Sequence, residues 1–332
     1  MVPRLVALSC MLLVSRFTLC GAGFTMKLTG SGYLDTQGFS VILYHSAFHP
    51  VFLDQKNAAM EIILHGQRIA TNGDVRLLPT PEQWDPAPRL KGRRADRDNN
   101  LMIAELAYPD CQLDYRLEVA AEPGGVRVSV HLERPLPPEL AGHAGLNLEF
   151  LPSAYVGKAY ITDQGASGVF PRSPQGPMAK VSPLPGAIKR LAYQQEWDEA
   201  RGHMQPLPLA TGTSIILAAD DPLCRIRVTS ETAPVSLYDG RNRAQNGWFV
   251  LRTMIPPGKT ENAVVWRIRP DVIPGWTRPP VVAHSQAGYA QDFPKVAVIE
   301  LDPNFNPPKT ASVLRLEGDG GYRRVFEGPI TE

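Results

Sequence analysis

The stretch YRLEVAAEPGGVRVSVHLERPLP, residues 115–137, restricts the fold more than any other part of the chain. Tyr115, Leu117 and Val119 alternate with charged residues, Pro123-Gly124-Gly125 turns the chain, and Val126, Val128 and Val130 alternate again. A period of two places apolar side chains on one face of a strand and polar ones on the other, so a β-hairpin with one buried and one wet face is predicted. The pattern recurs in AMEIILHGQRIA, LMIAELAYPD, HAGLNLEFLPSAYV, TSIILAADD, CRIRVTSETAPVSLYD, GWFVLRTMIPPG and NAVVWRIRP. Turn signals at Thr71-Asn72-Gly73, Asp239-Gly240, Asn246-Gly247 and Pro257-Gly258 separate these runs. The best helix candidate, AIKRLAYQQEWDEARG at residues 187–202, reads equally as irregular loop.

Composition agrees with many strands. The 32 prolines are roughly twice the usual share, and proline is excluded from helix interiors. The expected fold class is all-β: a large antiparallel β-sandwich region over residues 24–276, then a second β unit from Val281 to Glu332. Between them lies RPDVIPGWTRPP, residues 269–280, a stiff proline-rich joint. With 34 basic against 33 acidic residues there is no concentrated basic surface, so nucleic acid is not an expected partner. The charged run RLKGRRADRDNN, residues 89–100, mixes signs and reads as a solvated loop.

The N-terminus is laid out like a secretory signal peptide over residues 1–22. Arg4 precedes an apolar run from Leu5 to Val14, and small residues follow near Ala22. A lipoprotein reading would use Cys20, but Leu19 before it is too large. The expectation is therefore a periplasmic or extracellular protein with no membrane attachment after cleavage. Export leaves Cys111 and Cys224, which an oxidising compartment would allow either to bridge or to remain two buried thiols.

Two regions carry a resemblance. HSQAGYAQDFPKVAVIEL resembles the first strands of the immunoglobulin-like domain that precedes the catalytic domain in family nine glycoside hydrolases, the cellulase family. The pattern is carried by Ser285, Gln286, Gly288, Tyr289, Lys295, Ala297 and Val298, with Ser285 standing where the family usually has Asn. ASVLRLEGDGGYRRVFEGPI resembles the next hairpin of that domain. GSGYLDTQGFSVILYHSAFHPVFLDQKNAAMEIILHGQRIATNGDVRL, PEQWDP and YDGRNRAQNGWFVLRTMIPP are similar to a long N-terminal β region of cellulase-like bacterial proteins. The resemblance implies a partial immunoglobulin-like β-sandwich at residues 281–332 and, in a longer parent, a catalytic glycoside hydrolase domain. It also implies that this chain lacks the helical barrel and the Asp-Ala-Gly-Asp motif that supply the family's chemistry. No catalytic residue, cofactor or metal is expected here.

The residues themselves leave rivals open. Asp85, Glu196, Asp198, Glu199 and Asp239 are carboxylates that a glycosidase could use, but each fits a turn or a solvated face. His45 and His49 are four apart in an extended segment, which is not a helical metal pair. Binding of a polysaccharide or oligosaccharide fits better, because an aromatic ring fringed by hydrogen-bonding groups matches a sugar. YDGRNRAQNGWF gathers Tyr238, Asp239, Arg241, Asn246 and Trp248, and Trp84 is a second such spot. Trp266 alternates inside an apolar strand and is expected in the core; Trp276 is expected to pack at the joint. The reading is an exported, non-catalytic portion of a cellulase-like glycoside hydrolase. A stand-alone carbohydrate-binding sandwich and a glycosidase with its own carboxylate pair are the alternatives.

Overall fold

The structure is a computed structural model, and it describes residues 24–44, 59–81, 85–174, 176–180, 184, 204–243 and 247–331. In chain order the first strands are β1 (Lys27–Leu28), β2 (Leu34–Thr36), β3 (Phe39–Leu43), β4 (Met60–Leu64), β5 (Gln67–Arg76) and β6 (Arg89–Asp96). Next come β7 (Leu101–Tyr108), β8 (Leu113–Glu122), β9 (Gly125–Leu132), β10 (Gly145–Phe150), β11 (Ala159–Thr162) and β12 (Ser167–Val169). Short strands β13 (Met178–Lys180), β14 (Met204–Pro206), β15 (Ala210–Gly212) and β16 (Ser214–Leu217) follow. The large unit closes with β17 (Ile226–Ser230), β18 (Val235–Asp239), β19 (Phe249–Met254) and β20 (Val264–Pro270). Beyond the joint lie β21 (Val281–Ala283), β22 (Val298–Glu300), β23 (Thr310–Leu316) and β24 (Tyr322–Pro329).

Eighteen of these strands build two nine-stranded antiparallel sheets, and β13 pairs with β14 apart from them. The first runs β1-β2-β3-β4-β5-β10-β19-β18-β15 and the second β12-β11-β16-β17-β20-β9-β8-β7-β6. One continuous core joins their facing sides, including Leu146, Leu148 and Phe150 from the first sheet and Leu117, Val128 and Trp266 from the second. Trp266 is fully buried, and its indole N–H donates across the sandwich to Thr253 Oγ1 at 2.8 Å. The hairpin read at residues 115–130 is β8 and β9, paired from Tyr115 opposite Leu132 to Glu122 opposite Gly125.

Two local readings change. Thr71-Asn72-Gly73 does not reverse the chain; it lies inside the ten-residue strand β5, and His65-Gly66 makes the turn. Asn72 takes a left-handed backbone (φ 53°), and the pairing with β10 slips between Asn147 and Glu149. An Asn-Gly pair supplies the same backbone freedom to a bulge as to a turn. Residues 89–96 are not a loop but β6, an edge strand of the second sheet. Its charges suit an edge, where they oppose pairing with another chain. From it Arg93 Nε donates to Leu43 O at 2.6 Å and Nη2 donates to Gly32 O, tying the edges of the two sheets together. The helix candidate at residues 187–202 and the signal segment lie outside the described residues.

Cys111 and Cys224 are separate buried thiols. The joint is anchored on the large unit. The Trp276 ring lies 5.5 Å from that of His65 and its carbonyl accepts from Gln37 Nε2 at 2.7 Å. After the joint the strands form two ribbons, β21 with β22 and β23 with β24. Nearly all their residues are exposed, apolar ones such as Val298, Leu316 and Phe326 included.

Candidate functional site

An antiparallel sheet commonly packs one face on the core and leaves the other wet. The centre of the first sheet departs from this, because every residue of β10 is buried. Leu146, Leu148 and Phe150 take the core side; the alternating Asn147 and Glu149 point the other way and are buried as well. Buried polar groups must find partners. Cross-strand neighbours share a face, so the register names the rest of this polar face. Asn147 stands opposite Arg252 on β19 and Asp74 on β5. Glu149 stands opposite Val250 and Thr71, and Val250 opposite Tyr238 on β18.

Arg252 and Asn147 hold the chain that leaves β5. Arg252 Nη1 donates to Asn147 Oδ1 at 2.5 Å, Leu78 O at 2.9 Å and Arg76 O at 3.2 Å, and Nη2 donates to His143 O. Asn147 Nδ2 donates to Pro79 O at 3.1 Å. Carbonyl dipoles surround this guanidinium, and burial lowers its pKa to about 10. Tyr238 lies near enough for its phenol to act on the same charge.

Asp74 is almost fully buried. Its Oδ1 accepts from Tyr115 Oη at 2.6 Å and from the Val75 N–H at 2.7 Å, and its Oδ2 accepts from Tyr44 Oη. Burial pushes its carboxyl above the ordinary range against the pull of both tyrosines and of Arg76. Glu149 accepts from Asn72 Nδ2 at 2.7 Å, and Glu61 accepts from Thr71 Oγ1 and Arg68 Nη1, each at 3.0 Å. Arg76 is different. It is 5% exposed, and its Nε and Nη2 have no hydrogen-bond partner among the described residues. Leaving a buried donor unpaired costs ~1–3 kcal/mol, more for a charged group. Arg76 lines a cavity of about 30 Å³ with Tyr44, Ala59, Asn72, Asp74, Ala87 and Pro88.

Of the residues singled out from the sequence, Tyr238, Asp239, Arg241 and Trp248 lie at one end of β18 and β19. Asp239 and Arg241 are spent on each other: Nε reaches Oδ1 and Nη2 reaches Oδ2, both at 2.8 Å. Asp239 Oδ1 also accepts the Arg241 N–H, capping the short 3-10 turn Gly240–Asn242. The guanidinium lies 4.5 Å over the Phe249 ring and donates to Pro171 O and Arg172 O. This pair fastens the 171–172 segment to the end of β18. Asp85 is likewise engaged, with Arg243 Nη1 at 3.1 Å, and Arg243 also reaches Thr80 O. Trp248 is half-buried, and its carbonyl accepts from Gly240 N–H at 2.9 Å. Tyr238 is half-buried and belongs to the polar face. Trp84, Asn246, His45, His49, Glu196, Asp198 and Glu199 lie outside the described residues.

The polar face itself was missed in the sequence. Its signal was the i, i+2 pair Asp74 and Arg76 in NGDVRL, together with Arg252 in VLRTM, charges set inside otherwise apolar strands.

Comparison with known proteins adds little. No protein-family model matches the chain, and no curated protein matches it. Among solved structures it is similar to the Slr1438 protein from Synechocystis sp. PCC 6803, with 10% identity and a TM-score of 0.33. The match covers 74% of this chain and 95% of that one. A likeness this loose bears on neither fold nor function.

Proposed function

We propose that the chain is an exported, non-catalytic β portion of a cellulase-like glycoside hydrolase, whose role is to support a catalytic domain and to contact a β-glucan. The observation that carries this reading is the contrast across the Trp276 joint. Before it, apolar side chains are packed into a shared core; after it, Val298 is 62% exposed and Leu316 63%. Exposed apolar rows on strands suit burial against further structure. The residues that resemble the immunoglobulin-like pattern also work together. Tyr289 Oη donates to Val296 O and accepts from the Ser285 N–H, and Lys295 Nζ donates to Phe293 O at 2.8 Å. These contacts hold the connection between β21 and β22 in place.

Purified protein assayed on cellulose, mixed-linkage glucan and aryl glycosides is expected to match a buffer blank. Turnover that disappears on substitution of one carboxylate would overturn the reading in favour of an enzyme. Retention on β-glucan in affinity electrophoresis is expected, and its absence would remove the glycan contact from the proposal.

A further inference from the structure

We propose that the cavity beside Arg76 is a binding site for a single carboxylate group, carried by a small organic acid or by an acidic sugar. The inference does not depend on the glycoside hydrolase reading. Nε and Nη2 form one edge of the guanidinium, where two N–H bonds run side by side. That edge fits the two oxygens of a carboxylate, the bidentate pairing for which arginine is suited. Both atoms lack a partner among the described residues, while Arg76 is 95% removed from solvent and lines the cavity.

The neighbouring acids do not take this role. Asp74 has both oxygens engaged by Tyr44, Tyr115 and the Val75 N–H, and Glu149 is held by Asn72. Together with Tyr108, the strongest of these influences, Glu149 and Asp74 act on Arg76 at longer range and raise its pKa against the effect of burial. Their presence also restricts the ligand. A dianion such as phosphate would meet these two carboxylates with twice the charge of a carboxylate ligand, in a low-dielectric setting where Arg76 supplies one positive charge. The cavity is small, about 30 Å³, so that only the carboxylate head of a ligand would enter it, with Ala59, Ala87 and Pro88 as apolar walls. The remainder of a larger ligand would lie outside the cavity.

Isothermal titration of the full chain with sodium acetate, sodium D-glucuronate and neutral D-glucose in a chloride background tests this. Saturable one-site binding of at least one carboxylate is expected, with none for glucose at the same concentrations. Arg76→Gln should weaken binding by about ten- to a hundredfold. Arg76→Lys, which keeps the charge but not the paired donors, should weaken it nearly as much. Tighter binding of glucuronate would identify an acidic sugar, and acetate alone a free small acid. As a check independent of variant folding, the Arg76 Nε–H resonance of the unsubstituted protein should shift on saturation. Absence of saturable binding by either carboxylate, equal affinity for glucose, an unmoved Nε–H resonance, or unchanged affinity in a folded Arg76→Gln variant would overturn the proposal.

Discussion

His65 Nε2 accepts the backbone N–H of Ile273 at 3.0 Å, which pins the proline-rich joint to the turn between β4 and β5. The other ring nitrogen then carries the proton and donates to Leu223 O at 2.8 Å. Trp276 covers this arrangement. Its ring comes so near Gly66, whose φ is +73°, that a Cβ there would meet the indole at 3.0 Å. Trp276→Ala is therefore expected to uncover the joint, and Gly66→Ala to strain the turn as well. Limited proteolysis checks this: both variants should be cut faster between residues 271 and 280, with the sandwich fragment surviving. Unchanged cleavage would mean the Pro-rich chain holds itself without the indole.

Residues 281–331 should be the first part of the described chain to exchange amide protons. Each ribbon has two strands and little buried apolar surface, and an isolated two-stranded ribbon is marginal in water. Hydrogen exchange followed by mass spectrometry should show β21–β24 unprotected while β8, β9, β10 and β19 remain protected. Protection of β23 and β24 equal to that of β9 would show that the ribbons are covered in solution.

The tryptophans should separate by role. Trp266→Ala removes a fully buried ring and an N–H bonded to Thr253, so a loss on the order of 3–5 kcal/mol is expected in denaturant titrations. Trp248→Ala, at a half-buried ring, should cost less stability and more of any glycan retention. Asp239→Ala should behave like a structural change, since it leaves Arg241 without its bidentate partner. A large stability loss at Trp248 with glycan retention intact would place that ring in the packing.

Alkaline pH should reveal the buried phenols. Tyr44, Tyr108, Tyr115 and Tyr155 all have folded pKa values raised above 10.0, with burial as the leading cause. A raised folded pKa means the native state holds its proton more tightly than the unfolded chain. The resulting stability is fully present below about pH 10 and is lost as pH climbs through the folded values, by up to about 1.4 kcal/mol per pH unit for each such group. Tyrosinate absorbance from these four phenols should therefore rise together with unfolding and not ahead of it. A smooth titration of every tyrosine with the fold intact would contradict this burial.

Much of the fold was legible because alternation is local. Leu117 and Val119 repeat every second residue, and nothing beyond the strand is needed to see that one face is apolar. The same locality misled at Asn72-Gly73, where a turn and a bulge ask for the same backbone, and at residues 89–96, where charge hid an edge strand.

What alternation alone determined was that LNLEF has two unlike faces. Whether Asn147 and Glu149 face water or protein depends on which segments cross over them. The chain after β5 does cross, and Arg252 and Asn147 bind its carbonyls. That crossing joins residues separated by as many as 176 positions, as in the bond from Arg252 to Arg76 O. No local pattern encodes so distant a pairing, because it depends on how the whole first sheet is ordered. Tertiary structure therefore decided that this polar face is buried and that Asp74 is satisfied there. It also decided that Arg76, two residues away on the same strand, has two donors without a partner among the described residues.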